Sequence, residues 1–194
     1  MTQVYHIPVL AAESIEGMNL VADSVAVDAT FGGGGHSKLI LDKITRGKLF
    51  AFDQDEDAAN NVVNDSRLVF IRHNFRYIKN FLRFYNVEKV DAIFADLGVS
   101  SHDFDVPERG FSFRFEGKLD MRMNQNARTN AELVINEYTE EKLEQVFRLF
   151  GEISNLKQLA SLICRKRQET RIKTTSQLRE IASGCAPKDR KSVV

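Results

Sequence analysis

The sequence predicts an α/β fold built on a parallel, doubly wound sheet, and three observations carry that expectation. Short apolar runs rich in β-branched and aromatic residues alternate with helix-like segments through residue 96, the pattern of successive strand–helix–strand units. The first run, Val25–Asp28, ends in an acid and is soon followed by four consecutive glycines, Gly32–Gly35. A second acid, Asp53, closes the next run. In an open α/β sheet, a glycine turn at the carboxyl end of the first strand is where a nucleotide-like ligand sits, with a carboxylate roughly 20 residues further on to accept its ribose hydroxyls.

The elements follow in order. His6–Leu10 opens the chain, and Ala11–Met18 is helix-like, with Ile15 and Met18 three apart. His6 is either a ligand-facing group or an ordinary surface or core histidine. After the first strand and its glycine turn, Ser37–Ile44 is expected to be a helix, with Leu39, Ile40 and Ile44 at helical spacing. Lys48–Phe52 is the second strand, Asp57–Val63 a short helix and Leu68–Ile71 the third strand. Arg76–Tyr85 is a helix with Ile78, Phe81, Leu82 and Tyr85 on one face, and Ala92–Ala95 is the fourth strand.

The glycine turn narrows the choice of ligand. The dinucleotide fingerprint G-x-G-x-x-G fails, because its third position falls on Ser37 or, one residue later, on Lys38. The phosphate-binding P-loop fails as well, since Gly47–Lys48 is followed by Leu49. An acid and closely spaced glycines without a partner for pyrophosphate suit S-adenosyl-L-methionine better. That molecule has an amino-acid end, a ribose and an adenine but no phosphate. The plainer alternative is a glycine-rich turn with no ligand. Phe75, directly after the third strand, either stacks on a flat ring or packs in the core. Asp96 leaves the fourth strand into the same crevice. There it accepts a hydrogen bond from a substrate amino group or caps the helix that follows.

Beyond residue 104 the texture changes. Asp105–Phe113 is turn-rich with mixed charge, and Asp120–Met123 alternates charges with methionines; this is the profile of a binding loop or of a domain connection. Helices dominate afterwards. Thr129–Glu132 matches a capping box opening a helix to about Tyr138. Thr139 caps a second helix that Gly151 stops, Leu156–Ile163 marks a third, and Thr174–Gln177 is another capping box. A division into residues 1–106 and 107–194 is expected.

Composition limits the functional classes. With 194 residues, 43% hydrophobic and 28% charged, the chain is long enough for one core or one and a half. No apolar run approaches bilayer length, and the N-terminus resembles neither a secretory signal nor a transit peptide. Cys164 and Cys185 lack metal-ligand spacing and read as reduced, intracellular thiols. The zero net charge hides a gradient. Residues 1–104 carry −4 and residues 105–156 carry −3, whereas residues 157–194 carry +7. That basic stretch fits a polyanion such as nucleic acid or, equally, a solvated helix face.

Six stretches now combine: H-I-P-V-L, D-A-T-F-G-G-G-G-H, the D-Q-D after the second strand, A-D-L-G-V-S-S, P-E-R-G-F-S-F and L-D-M-R-M. Together, from His6 to near Lys188, they resemble the bacterial small-subunit (16S) ribosomal RNA (cytosine-N4)-methyltransferases of the MraW/RsmH type. The resemblance implies a class I S-adenosylmethionine-dependent methyltransferase fold, Rossmann-like, with a small helical domain inserted after the fourth strand. It implies methylation of the N4 amino group of a cytidine in the decoding region, with the small ribosomal subunit or its 16S rRNA as partner and the cytoplasm as location. Carried over, Gly34, Gly35 and His36 contact the methionine end of the cofactor, Asp53 holds the ribose, and Phe75 and Asp96 line the adenine side and the cleft. Asp96 is the catalytic candidate, and Arg109, Asp120 and Arg122 are candidates for RNA and base contacts. The family commonly reads S-S-P-Q-L-D where this chain has S-S-H-D-F-D, so Asp103 stands where a glutamine usually contacts the cofactor; a carboxylate accepts but cannot donate. The family also continues past residue 194 with a segment that completes the sheet, so the last strands are expected to be missing here. The alternative function is therefore a cofactor- or RNA-binding fragment without turnover. A DNA amino-methyltransferase is the weaker third reading, because Asp96-Leu97-Gly98 does not supply the Pro-Pro-aromatic motif of that class.

Overall fold

The computed structural model describes residues 9–99 and 101–185. His6 and the stretch around Lys188 lie outside the described residues. The chain divides into two compact units, one ending at Gly98 and including Met123–Gln125, the other formed by Val99–Arg122 and the chain from Asn126 onward. Asp103 and Arg109, on either side of the 106/107 boundary expected from the sequence, form an ion pair within the second unit.

In the first unit, strands β1 (Val25–Asp28), β2 (Lys48–Asp53), β3 (Leu68–Arg72) and β4 (Ala92–Phe94) form one parallel sheet in the order β3-β2-β1-β4. Val27 lies between Phe50 and Ile93 across the sheet, and Phe52 pairs with Ile71. The chain steps outward from β1 to β3 and then returns to the other side of β1. That reversal puts the crevice of a doubly wound sheet at the carboxyl ends of β1 and β4.

Period-two alternation assigns the faces. Ala26 and Leu49 pack with Ile15 of helix α1 (Ala11–Gly17) and with Ile40, Leu41 and Ile44 of the α2 segment (Gly35–Lys43). Val27, Phe50, Phe52 and Ile71 pack with Leu82 of α3 (Ile78–Phe84). Because both faces are covered, β2 reads as an unbroken apolar run from Leu49 to Phe52. The class expected from the sequence is thus present. Local differences have local causes. The helix expected over residues 76–85 begins as a 3₁₀ turn, Phe75–Tyr77, because the Asn74 side chain accepts the Arg76 N–H and starts the turn early. Asp57–Asn61 is a 3₁₀ turn that buries only Ala58, too small an apolar anchor to carry a longer helix.

The second unit is helical: α4 (Ser101–Asp105), α5 (Ala131–Glu137), α6 (Glu140–Phe150), α7 (Leu156–Glu169) and α8 (Thr175–Ser183). Its core gathers Leu119, Ile135, Leu143, Leu159, Ala160, Ile163, Ile172 and Cys185. Thr139 and Thr174 cap as expected, the latter in a complete capping box. At α5 the cap is Asn130 rather than Thr129; its side chain accepts the Leu133 N–H at 2.8 Å. Much of the basic excess is used inside this unit. Arg171 bridges Glu132 and Glu137, Arg167 donates to the Ile135 carbonyl at the end of α5, and Lys166 pairs with Glu169. Among the described residues no helix is long and apolar enough to cross a membrane.

Phe50 is fully buried, so Phe50→Ala removes a ring from the centre of the sheet unit and should cost about 3–5 kcal/mol. Phe84→Ala, at a position 75% exposed, should stay within about 0.5 kcal/mol. Urea denaturation checks both.

Candidate functional site

The glycine turn is shaped by backbone need. Gly32 and Gly34 adopt φ of 50° and 75°, in the left-handed region where a side chain is strained. At Gly34 a Cβ would also come within 3.0 Å of the Phe31 ring. Gly34 immediately precedes α2 and makes no side-chain cap, so the first N–H groups of that helix, from Gly35 onward, face the turn without an intrahelical acceptor.

Neighbouring strands pin this turn. Gly32 N–H donates to Asp53 Oδ2 at 2.7 Å, Phe31 N–H to the Phe52 carbonyl at 2.9 Å and Ala29 N–H to the Phe94 carbonyl at 2.8 Å. Asn61 Nδ2 donates to the Gly32 carbonyl at 3.1 Å. Asp53 Oδ1 takes the Asp55 N–H at 2.8 Å. The Gln54 N–H is a third backbone donor to this carboxylate, so its acceptor capacity is largely, but not wholly, used within the turn. Burial raises the Asp53 carboxyl above its ordinary value, opposed by the N–H donors of Asp55 and Gly32. Asp28, fully buried, accepts from Ser37 Oγ at 2.7 Å and Thr30 N–H at 3.0 Å. Burial raises this carboxyl too, and the Ser37 bond works against it. Asp28 thus ties the end of β1 to the first turn of α2.

Asp96 is exposed, beyond the last residue of β4, and its N–H donates to Thr30 Oγ1 at 2.8 Å. Thr30 anchors its backbone beside the glycine turn. His36 is buried, with Nε2 3.2 Å from the Val9 carbonyl and its ring 4.4 Å from that of Phe94. Its imidazole is occupied inside the unit, and its backbone N–H lies in the first turn of α2. Phe75 is 40% exposed, not a core residue. It follows Asn74, whose Nδ2 donates to Gln54 Oε1 at 2.9 Å and joins the ends of β3 and β2.

The sequence had not singled out Thr30, Asn61 or Asp28 as positioning groups. Thr30 and Asp28 lie inside the quoted glycine motif, but their partners are set by strand order, which appears only in the folded sheet. Asn61 carries no signal in the sequence.

In the second unit the remaining candidates engage one another. Asp103 and Arg109 are 3% and 5% exposed and form an ion pair at 3.1 Å. Arg109 also donates to the Arg122 carbonyl at 3.2 Å. Asp120 and Arg122 make a two-pronged pair, with Nε–Oδ1 at 2.7 Å and Nη2–Oδ2 at 2.6 Å, and Arg122 reaches the Ala127 carbonyl as well. Arg122 holds the Asp120 carboxyl below its usual range. Buried Arg109 does not offer its guanidinium to a phosphate here, nor does Asp103 offer its carboxylate at the surface. Both instead fix the path of the loop. Asp120 and Arg122 remain about a quarter exposed.

The sheet unit therefore offers two glycines with positive φ, the N–H groups of a helix start without an intrahelical acceptor, and a carboxylate with acceptor capacity left over from its three backbone donors. Such a set fits a ligand carrying an amino-acid end and vicinal hydroxyls. Among the described residues no group of three His, Cys, Asp or Glu side chains is arranged to hold a metal.

Comparison with known proteins covers nearly the whole chain. The model of the MraW methylase family matches residues 3–193. "Ribosomal RNA small subunit methyltransferase H" of Phocaeicola vulgatus is 57% identical over 92% of this chain and 59% of its own length. The protein of that name from Bacteroides fragilis is 54% identical over 91% and 59%, and that of Flavobacterium johnsoniae is 52% identical over 96% and 62%. The chain thus spans about three-fifths of the length of these relatives.

The Asp120–Arg122 pair has a pH signature. A depressed folded pKa gives stability that is complete above the unfolded carboxylate value, about 3.9, and is lost as pH falls through the folded value. Asp120→Asn should therefore lower the thermal midpoint at pH 7, and the gap to the parent should close below about pH 4. Thermal scans across pH check it.

Proposed function

The chain belongs to the MraW methylase family, and from that premise we propose that it carries the donor-binding and acceptor-side residues of an S-adenosylmethionine-dependent ribosomal RNA methyltransferase. The acceptor in this reading is the N4 amino group of a cytidine in the decoding region of small-subunit rRNA. The cellular setting is the cytoplasm, and the partner is the small ribosomal subunit or its RNA. One observation carries the reading: Asp53 reaches from β2 to hold Gly32, while Thr30 on the same turn holds Asp96 beyond β4.

The donor, when bound, supplies an activated methyl group. The chain's residues supply placement. The acceptor capacity that Asp53 has left is turned to the ribose hydroxyls. The backbone N–H groups of Gly35 and His36 receive the carboxylate of the methionine end, favoured by the helix start, while Gly34, its own N–H held by the Phe31 carbonyl, shapes the turn against it. Phe75, with its ring 40% exposed, covers the flat adenine. Asp96 accepts a hydrogen bond from the exocyclic amine of the cytosine. That amine is a poor nucleophile because its lone pair is delocalised into the ring, and a fixed acceptor on one N–H turns the lone pair out of conjugation. The target base must leave its stack to reach this position. Asp120 and Arg122 keep a part in RNA contact through their exposed edges, whereas Asp103 and Arg109 act by shaping the loop.

Two substitutions separate binding from transfer. Asp53→Asn retains the fold's acceptor on one side and removes it on the other. It should weaken S-adenosylmethionine binding by roughly 10- to 150-fold, the worth of a hydrogen bond to a charged acceptor, as read by calorimetry. Asp96→Ala should leave that affinity within about twofold and abolish methyl transfer to small ribosomal subunits. Retained transfer by Asp96→Ala removes Asp96 from the mechanism. Donor binding without transfer by the parent chain favours the reading of a binding fragment. Because burial raises the Asp53 carboxyl, donor affinity should begin to fall on acidification above the ordinary carboxylate range near 4.

A further inference from the structure

We propose that the segment 113–118 together with the start of α8 forms a platform for single-stranded RNA, separate from the residues assigned to the methyl donor. Phe113 and Phe115 are 57% and 53% exposed, on either side of exposed Arg114. Neither ring belongs to the core of the helical unit. Flat apolar rings interleaved with cations are the means by which proteins hold unstacked bases and their phosphates.

The rings stand on a fixed rail. Thr175, 1% exposed, donates its N–H to the Gly117 carbonyl at 2.9 Å and takes the Gly117 N–H on Oγ1 at 3.1 Å. Its hydroxyl lies 3.3 Å from the Phe115 carbonyl, and Leu119 N–H meets the Lys173 carbonyl at 2.9 Å. Lys118 forms an antiparallel bridge with Thr174. From behind, Gly117 is so close to Pro107 that a Cβ would overlap its carbonyl. A platform held in this way loses little conformational entropy when a strand settles on it.

The charge is complementary. Lys118, Lys173 and Arg179 are exposed beside the segment, and Arg179 reaches the Phe113 carbonyl at 3.4 Å. With Arg114 they make four cations against the exposed acids Glu116 and Glu180. They are not among the bases that pair within the helical unit, such as Arg171 and Lys166. The rings select a single strand, since bases inside a duplex present only their edges. The proposal rests on the preceding reading only in taking RNA as the substrate.

Fluorescence anisotropy with a short labelled single-stranded RNA tests it, with calorimetry for S-adenosylmethionine run in parallel. The pair F113L/F115L keeps apolar bulk and removes the flat rings. It should lose roughly 5- to 150-fold in RNA affinity for each stacked base, with the salt slope and thermal midpoint unchanged. F113W/F115W should restore binding. K118Q/K173Q should reduce the slope of log K against log salt by about 1.4. Leucine variants that bind like the parent overturn the proposal, as does a parent that binds the donor but not RNA. Loss of self-association in the leucine variants, without loss of RNA binding, would also overturn it by assigning the rings to a second copy. A parent that binds RNA through these rings but not the donor would count against the methyltransferase reading and leave the platform standing.

Discussion

The hydrogen bond from Gly32 N–H to Asp53 Oδ2 is the constraint from which the site is built. It joins the carboxyl ends of adjacent strands across 21 residues of sequence. A single carboxylate thereby sets the shape of the glycine turn and still keeps acceptor capacity. The cost is visible in the raised carboxyl of Asp53, since burial penalises its charge. A site that holds a partly desolvated carboxylate next to free backbone donors is prepared to bind rather than merely to fold.

Around that bond the turn is held from each side. Asp28 takes Ser37 and Thr30, and Thr30 in turn takes the N–H of Asp96. The relay runs from α2 through the end of β1 to the loop beyond β4. The glycine turn and Asp96 are thus positioned by one short network rather than by separate loops. The raised carboxyls of Asp28 and Asp53 have the opposite linkage to Asp120. Their burial costs stability while they are charged, and that cost is relieved as pH falls through their raised values.

The sheet was legible because its strands advertise themselves. Val25–Asp28 and Leu49–Phe52 are apolar on both faces, and the acids that end them mark the carboxyl edge. Capping at Thr139 and Thr174 was equally readable, since a side-chain oxygen ahead of a helix acts locally. The misplaced cap at Thr129 shows the limit of such signals. Thr129 and Asn130 both qualify by type, and only the turn into α5 selects Asn130. Asp53 and Asp96 could be placed from the sequence, because they follow strands. Arg109 and Asp103 could not, because pairing and burial in an irregular loop depend on contacts that no periodicity records. His36 is an intermediate case: its position at the helix start was readable, but the engagement of its ring with Val9 and Phe94 was not.

The central claim is that the turn between β1 and α2, held by Asp53, is where the methyl donor sits. Titration of the isotopically labelled chain with S-adenosylhomocysteine, followed by amide chemical shifts, tests it most directly. The account predicts saturable shifts concentrated at Gly32–His36, Asp53, Gln54 and Phe75. Shifts confined to the helical unit, with Gly32 and Asp53 unmoved at saturation, would contradict it.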